Sequence, residues 1–413
     1  MKIVKKIWLS GILGILLLSS CQNFDQYLKD QFPETDTSTY VMLDGTFALP
    51  LIDSKITLAE LLPDMDTSSV WIEADANDVL HLMIKKSSAY SLTAEDAGIT
   101  SDLPSGYVIP ADITVPPRWM NPLMNFDLFK DMPPGLVYFD DPKITLIVRS
   151  ELALKISIDL DSGVFVNNAN STTIYSNCSE TINLSPNGTD TVVFDNSNLT
   201  NLSDGLAIYP DQIGVKFGTT IPSQTTTGAV AMSDQVFVDY LVDLPMQLYV
   251  KDLVVTDTSE IDLGGDATQM IKDLTLKVVD KNGMALGASL FIVFTDSLYQ
   301  DTIATIKQVN APADDTLTLP FANGARTLNV AYVLDPCETD IAGNTLPAEN
   351  VVHYISLPQY AIDAINKYKP NRMIIGVKFN TYNSSLPQVV KIKSEDYIDL
   401  KIGAKIVFEA KTK

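Results

Sequence analysis

Leu152-Ala153-Leu154-Lys155-Ile156-Ser157-Ile158-Asp159-Leu160 carries five aliphatic side chains at alternate positions. A period of two puts Leu152, Leu154, Ile156, Ile158 and Leu160 on one face of an extended strand. Just upstream, Ile144-Thr145-Leu146-Ile147-Val148 has the branched, apolar composition of a buried strand. Further strand-like runs follow at Gly205–Tyr209, Ile213–Phe217 and Val236–Val255. The last third adds Leu274–Val279, Ser289–Phe294, Ile303–Val309, Thr316–Pro320, Thr327–Leu334, Met373–Phe379, Val389–Ile392 and Tyr397–Phe408. Such spacing, with few helical stretches, predicts an all-β protein built of antiparallel β-sandwiches.

Upstream of residue 140 the pattern is less regular. Phe47–Leu51 reads as a strand, and Thr57–Leu62 as one helical turn ended before Pro63. Val70–Glu73 and Val79–Ile84 read as a hairpin around the polar turn Asp75–Asp78. Leu274–Val279 and Ser289–Phe294 read as a β-pair turned at Asn282-Gly283. One longer helix is predicted near 358–369, where Tyr360, Ala361, Ala364, Ile365 and Tyr368 recur at helical spacing, Ser356 offers a cap and Pro370 stops the run. Residues 115–134 hold five prolines together with Trp119, Phe126, Phe129, Met120, Met124 and Met132. Proline interrupts helix and sheet alike, so this segment is expected to be a long connection that packs over its own domain or forms an apolar lip.

The first residues are of another kind. Lys2, Lys5 and Lys6 precede the apolar run Ile7–Leu18, and Leu18-Ser19-Ser20-Cys21 closes it. The run is too short for a membrane-spanning helix, which needs about 20 apolar residues, and it fits the h-region of a signal peptide. With its terminal Cys it resembles a bacterial lipoprotein signal peptide. That resemblance implies cleavage before Cys21, lipidation of Cys21, and attachment to a membrane through that residue. Gln22 in place of Asp favours the outer membrane, on a side the sequence leaves open. The expected organisation is therefore a signal peptide at 1–20, a polar tether at 21–39, a β domain at 40–140 containing the 115–134 connection, and β-sandwich domains at 141–240 and 241–413.

Composition limits the function. The 413 residues carry 29 basic and 51 acidic side chains; without Lys2, Lys5 and Lys6 the balance is 26 − 51 = −25. So acidic a chain is repelled by phosphate backbones, and nucleic acid is not an expected partner. Beyond Cys21 only Cys178 and Cys337 remain, far apart in sequence, and they are expected as two buried thiols rather than a disulfide. There is no CxxC, Cys/His cluster, nucleophile elbow or HExxH, so no cofactor is implied.

The candidate functional residues are few. His81 and His353 are the only histidines, and each lies within an apolar strand, where a structural role is expected. A glycan face would draw on Trp71, Trp119 and Tyr138. Calcium would draw on Glu73 and Asp75 in one loop and Asp159 and Asp161 in another, though neither follows the EF-hand pattern. Asp190-Thr191-Val192, Asp296-Ser297-Leu298, Asp301-Thr302-Ile303 and Asp315-Thr316-Leu317 have the Asp-Ser/Thr-apolar form of a bacterial O-glycosylation sequon.

Four stretches, FALPLIDSKITLAELL (Phe47–Leu62), YLVDLPMQLYVKDLVV (Tyr240–Val255), LTLKVVDKNGMALGASLFIVFTDSL (Leu274–Leu298) and DYIDLKIGAKI (Asp396–Ile406), resemble uncharacterised lipoproteins of Bacteroidetes-type bacteria. The unit at 274–294 also resembles late-embryogenesis-abundant-like β-sandwiches. Both resemblances imply a secreted β fold and carry no catalytic residues to transfer. The expected function is non-catalytic: a lipid-anchored envelope protein that binds a glycan or an envelope protein. A periplasm-facing carrier of an apolar ligand, lidded by 115–134, is the second reading, and a glycan-acting enzyme using carboxylates the third.

Overall fold

The computed structural model describes residues 46–57, 69–129, 134–260, 271–295, 302–305, 307–308, 316–319, 324–360, 362–363 and 372–408. The expected signal peptide, Cys21, the expected tether, all but Thr57 of the turn expected at Thr57–Leu62, Met132 and most of the helix expected at 358–369 lie outside them. The chain is mostly β, arranged in several antiparallel sheets. Its longer strands are β1 (Thr46–Thr57), β2 (Val70–Ala74), β3 (Leu80–Thr93), β4 (Ile113–Trp119), β5 (Lys143–Ser150), β6 (Ile156–Asn167), β7 (Thr172–Leu184) and β8 (Thr189–Phe194). A short helix, α1 (Leu202–Ala207), precedes β9 (Gln212–Ile221) and β10 (Gln235–Pro245). Then come β11 (Leu253–Glu260), β12 (Ile271–Asn282), β13 (Leu286–Thr295), β14 (Val351–Leu357), β15 (Arg372–Thr381) and β16 (Tyr397–Phe408).

Two compact units result. One comprises residues 64–132 and 137–248; the other comprises 1–63, 133–136 and 249–413. This division differs from boundaries near 140 and 240, because the sheet β8-β5-β10-β3-β2 joins strands from both sides of residue 140. The chain thus makes β1, completes the inserted unit, and returns to finish the unit to which β1 belongs.

The inserted unit is a sandwich of that sheet on a second one, β7-β6-β9-β4, with Met124–Asn125 also paired to β9. The alternation holds within β6, from Ile156 to Leu160, whereas residues 151–155 are not strand and bury Ala153 as well as Leu152 and Leu154. Leu152 and Leu154 are fully buried, and Ile156, Ile158 and Leu160 are at most 5 % exposed. Ile158, Leu160, Ile182 and Phe217 from one sheet meet Leu92, Leu146, Val148 and Val238 from the other around a space of about 20 Å³. That is room for roughly one water, not for a ligand. Each such side chain contributes about 1.5–3 kcal/mol by leaving water.

The structure corrects several local expectations. Residues 115–119 are not loop but the end of β4, an edge strand whose register against β9 shifts between Phe217 and Thr219. Pro116 and Pro117 are tolerated because only one side of that strand must pair. Beyond β4 the described apolar residues follow the first of the two expectations, packing over their own unit rather than forming a lip. Met120, Met124, Phe126 and Phe129 are all buried, and Phe126 lies 5.8 Å from both Phe129 and Tyr240. Gly205–Tyr209 is not a strand, because α1 occupies Leu202–Ala207 and buries Leu202 and Leu206 at helical spacing.

The other unit contains two further five-stranded sheets. One runs residues 307–308, β14, β12, β16, β1; the other has β11-β15-β13 with residues 302–305 and 332–334 along β13. β12 and β13 are not a hairpin, contrary to the reading of Asn282-Gly283. They belong to different sheets. The Asn282 amide donates to the carbonyls of Leu286 and Asp335, and its carbonyl oxygen accepts from Met284 N–H. Those bonds hold a crossover rather than a tight turn. Ser356 lies within β14 rather than capping a helix, and of the helix near 358–369 only residues 359–360 and 362–363 are described, as helical.

Candidate functional site: an aromatic sheet face

The outward side of β7-β6-β9-β4 is built by register. Trp119 stands opposite Lys216, Lys216 opposite Ser162, and Ser162 opposite Asn177, which makes one transverse row. In the adjoining row, Gly214 stands opposite Val164, and Val164 opposite Tyr175. The Trp119 and Tyr175 rings meet over these rows, with centroids 5.9 Å apart and planes tilted by 56°. Trp119 is 37 % and Tyr175 64 % exposed. Gly214 is required by close approach: a Cβ there would lie 2.5 Å from Leu123 Cδ2, so Leu123 rests on bare backbone.

Polar groups frame the ring pair. Lys216 Nζ donates to Asp161 Oδ2 at 2.7 Å, and this bond and the ammonium charge hold the Asp161 carboxyl below its usual range. Along the same face Thr181 donates to Asp159, and Ser157 donates to Asn183. Behind the β6–β7 bulge, burial raises the Cys178 thiol to about 11, with Asp161 and Glu180 adding to the effect. Cys178 and Cys337 are both free thiols and belong to different units.

The residues singled out from the sequence are distributed rather than assembled. Trp119 is on this face, while Trp71 lies on β2, the edge strand of the facing sheet, and donates to Glu73 across 3.2 Å. Tyr138 sits in the short strand Leu136–Phe139 and takes no part in the Trp119 face. Sequence reading missed Tyr175. The signal was present, since Thr173, Tyr175 and Asn177 alternate outward along β7, but only the fold puts Tyr175 next to Trp119.

The calcium candidates are engaged by protein groups. Asp75 Oδ1 accepts from the Asn77 and Val79 amides. Burial acts to raise the Asp75 carboxyl, but those hydrogen bonds outweigh it and leave the group below its usual range. Asp159 takes Thr181 and Asp161 takes Lys216. Among the described residues no group of three or more His, Cys, Asp or Glu is arranged to hold a metal ion. Asp190-Thr191-Val192 opens strand β8, where Asp190 accepts from the Asn183 and Thr191 amides. Residues 296–301 and Asp315 of the other triplets lie outside the described residues.

The two histidines sit in different settings. His81 Nδ1 lies 2.6 Å from Asp243 Oδ1, and its Nε2 lies 3.9 Å from Asp75 Oδ2, on the outward side of β3. His353, on β14, is 7 % exposed and lies 3.0 Å from Asp280. Both imidazoles are thus held by carboxylates. Among the described residues no helix is long and apolar enough to cross a membrane.

No protein-family model matches this chain, and no curated protein matches it. Among solved structures, 89 % of the chain aligns with the whole of a protein from Parabacteroides distasonis assigned as secreted, at 13 % identity and a TM-score of 0.40. A structure of Melon necrotic spot virus aligns over 87 % of this chain and all of its own, at 11 % identity and a TM-score of 0.17.

Proposed function

We propose that this chain is a lipid-anchored cell-envelope protein whose task is to bind, not to catalyse, and that the Trp119–Tyr175 face makes the contact. The partner that fits this face is a glycan. Sugar rings present flat C–H surfaces to aromatic rings and hydroxyls to polar neighbours, and aromatic side chains combine an apolar body with directional contacts. The exposed ring pair carries the proposal, and Lys216, Asp161, Ser162 and Asn177 supply donors and acceptors beside it. The apolar-carrier reading gains nothing from the inter-sheet space of about 20 Å³ or from the inward packing of Phe126 and Met124.

Two measurements test the two halves. Cys21→Ser should abolish incorporation of labelled palmitate and release the chain from the membrane fraction; retained label would sink the anchoring. For binding, the mature-length chain is screened on an array of neutral and acidic polysaccharides. Tyr175→Ala and Trp119→Ala are each expected to weaken the best hit by about 5- to 150-fold, the range for losing a stacking platform of roughly 1–3 kcal/mol, with the melting temperature unchanged for Tyr175→Ala. Binding that survives both substitutions would move the site elsewhere.

A further inference from the structure

The sheet that contains β1 has a charge balance opposite to that of the chain. Across the whole sequence acidic residues outnumber basic ones, 51 to 29. On the outward positions of β1, β16 and β12, register places Lys55, Lys277, Lys281 and Lys401 around Asp399, four cations to one anion among the described side chains. Lys55, Lys277 and Lys401 are exposed and Lys281 is partly so. The inward positions of the same strands are buried, as Val278 at 2 % and Ile398 at 6 % show, so the cations belong to one side of the sheet.

Aromatic and apolar groups lie among these lysines. The Tyr397 ring has Lys55 Nζ at 4.0 Å from its centroid and Lys281 Nζ at 6.0 Å. Asp399 stands between Lys55 and Lys281 in the register. On the next strand Val352 is 47 % and Tyr354 49 % exposed, and Tyr354 stands opposite Lys277. A flat array of ammonium groups with tyrosine and valine between them matches an anionic lipid surface. The ammonium groups meet phosphates, and amphipathic tyrosines favour the head-group level. Position along the chain fits as well: 24 residues separate Cys21 from Thr46, where β1, the strand carrying Lys55, begins.

We propose that this outward face rests on an anionic bilayer surface and acts as a second membrane contact beside the lipid. The inference takes its setting from the lipid-anchor reading, but its chemistry is separable from it. Charges farther than about 8 Å from the surface are screened at physiological salt, so the local lysines outweigh the distant excess of carboxylates.

The test uses the mature-length chain with Cys21→Ser, so that no acyl group contributes. It is sedimented with phosphatidylcholine vesicles containing phosphatidylglycerol, and in parallel with pure phosphatidylcholine. Binding to the anionic vesicles alone, weakening as salt rises, is the expected result. Lys55→Gln, Lys277→Gln, Lys281→Gln and Lys401→Gln together should reduce it at least tenfold, since each lysine near such a surface is worth about fivefold. Should the quadruple variant fail to fold, Lys277→Gln/Lys401→Gln and the salt titration of the parent chain carry the same test. Equal binding to both vesicle types, no binding to either, or capture by soluble polygalacturonate in place of vesicles would overturn the proposal. Palmitate labelling of Cys21 is scored separately, so loss of the anchor and loss of the face are told apart.

Discussion

Phe126→Ala should lower the stability of the inserted unit by about 3–5 kcal/mol, the usual cost of deleting a buried aromatic side chain. Phe126 is fully buried, its ring touches Phe129 and Tyr240, and its amide donates to Asp211 O at 2.8 Å. The residues before it, Met124 and Asn125, pair with β9, so the backbone cannot easily follow a smaller side chain inward. For a domain of this size each kcal/mol moves the melting temperature by roughly 2–4 °C, so a drop of about 6–20 °C is expected in a calorimetric scan. Phe126→Leu should cost much less, because it keeps most of the volume. The experiment also separates two readings of residues 115–134. A lid would tolerate Phe126→Ala thermally and change only the uptake of apolar probes. An unchanged melting curve would therefore mean that the segment is not part of the core.

That segment shows why some of this fold is legible in sequence and some is not. Alternation is local, and Ile156 to Leu160 displays its buried face without reference to any neighbour, although the strand begins only at Ile156 and not at Leu152. The hairpin at 70–84 is equally local: Asp75 closes the turn through the Asn77 and Val79 amides. Pro116 and Pro117 mislead because proline's cost in a strand depends on whether its missing N–H is needed, and only the neighbouring strand decides that. Asn282-Gly283 misleads for a related reason. Its hairpin preference is worth little beside the hydrogen bonds of Asn282 to Leu286 and Asp335, and the residue at 335 is remote in sequence.

The candidate face follows the same rule. Trp119 stands out as a rare residue type, whereas Tyr175 is one of 16 tyrosines and acquires its meaning from the register that sets it across the sheet. The lysines of the other unit are likewise ordinary in sequence. Lys55 and Lys281 are far apart along the chain, and both neighbour Asp399 only because β16 lies between β1 and β12. Surfaces assembled from distant strands leave no local pattern, so composition alone gives an acidic chain and hides its basic face.

His353→Leu should have the second large effect, a loss of about 3–5 kcal/mol in the unit that contains β14, because it strands a carboxylate in the interior. Asp280 is 1 % exposed, and its Oδ1 lies 3.0 Å from His353 Nε2. The Tyr332 ring meets the imidazole edge-on, with centroids 5.2 Å apart and planes at 82°. Burial pushes the Tyr332 hydroxyl far above the ordinary phenol range, and the neighbouring Asp280 and Asp335 push it further, so this tyrosine stays neutral through any practical pH. No water-like surroundings are on hand to solvate Asp280 once the imidazole is gone. Asp280→Leu alone should cost a similar amount. The double variant Asp280→Leu/His353→Leu is expected to recover much of the loss, because apolar replacement of both partners of a buried pair is often neutral or better. Chemical denaturation of all four proteins closes a double-mutant cycle, in which recovery in the double requires a coupling larger than either single loss, above about 3–5 kcal/mol. Strictly additive losses would show that the two side chains act independently, and a stable His353→Leu would show that Asp280 does not depend on the imidazole beside it. Recovery in the double would instead mean that the pair is retained at some expense of stability, for the arrangement it fixes: with Val352 and Tyr354 facing out and His353 facing in, the anchored imidazole holds β14 in the register that presents its tyrosine beside Lys277.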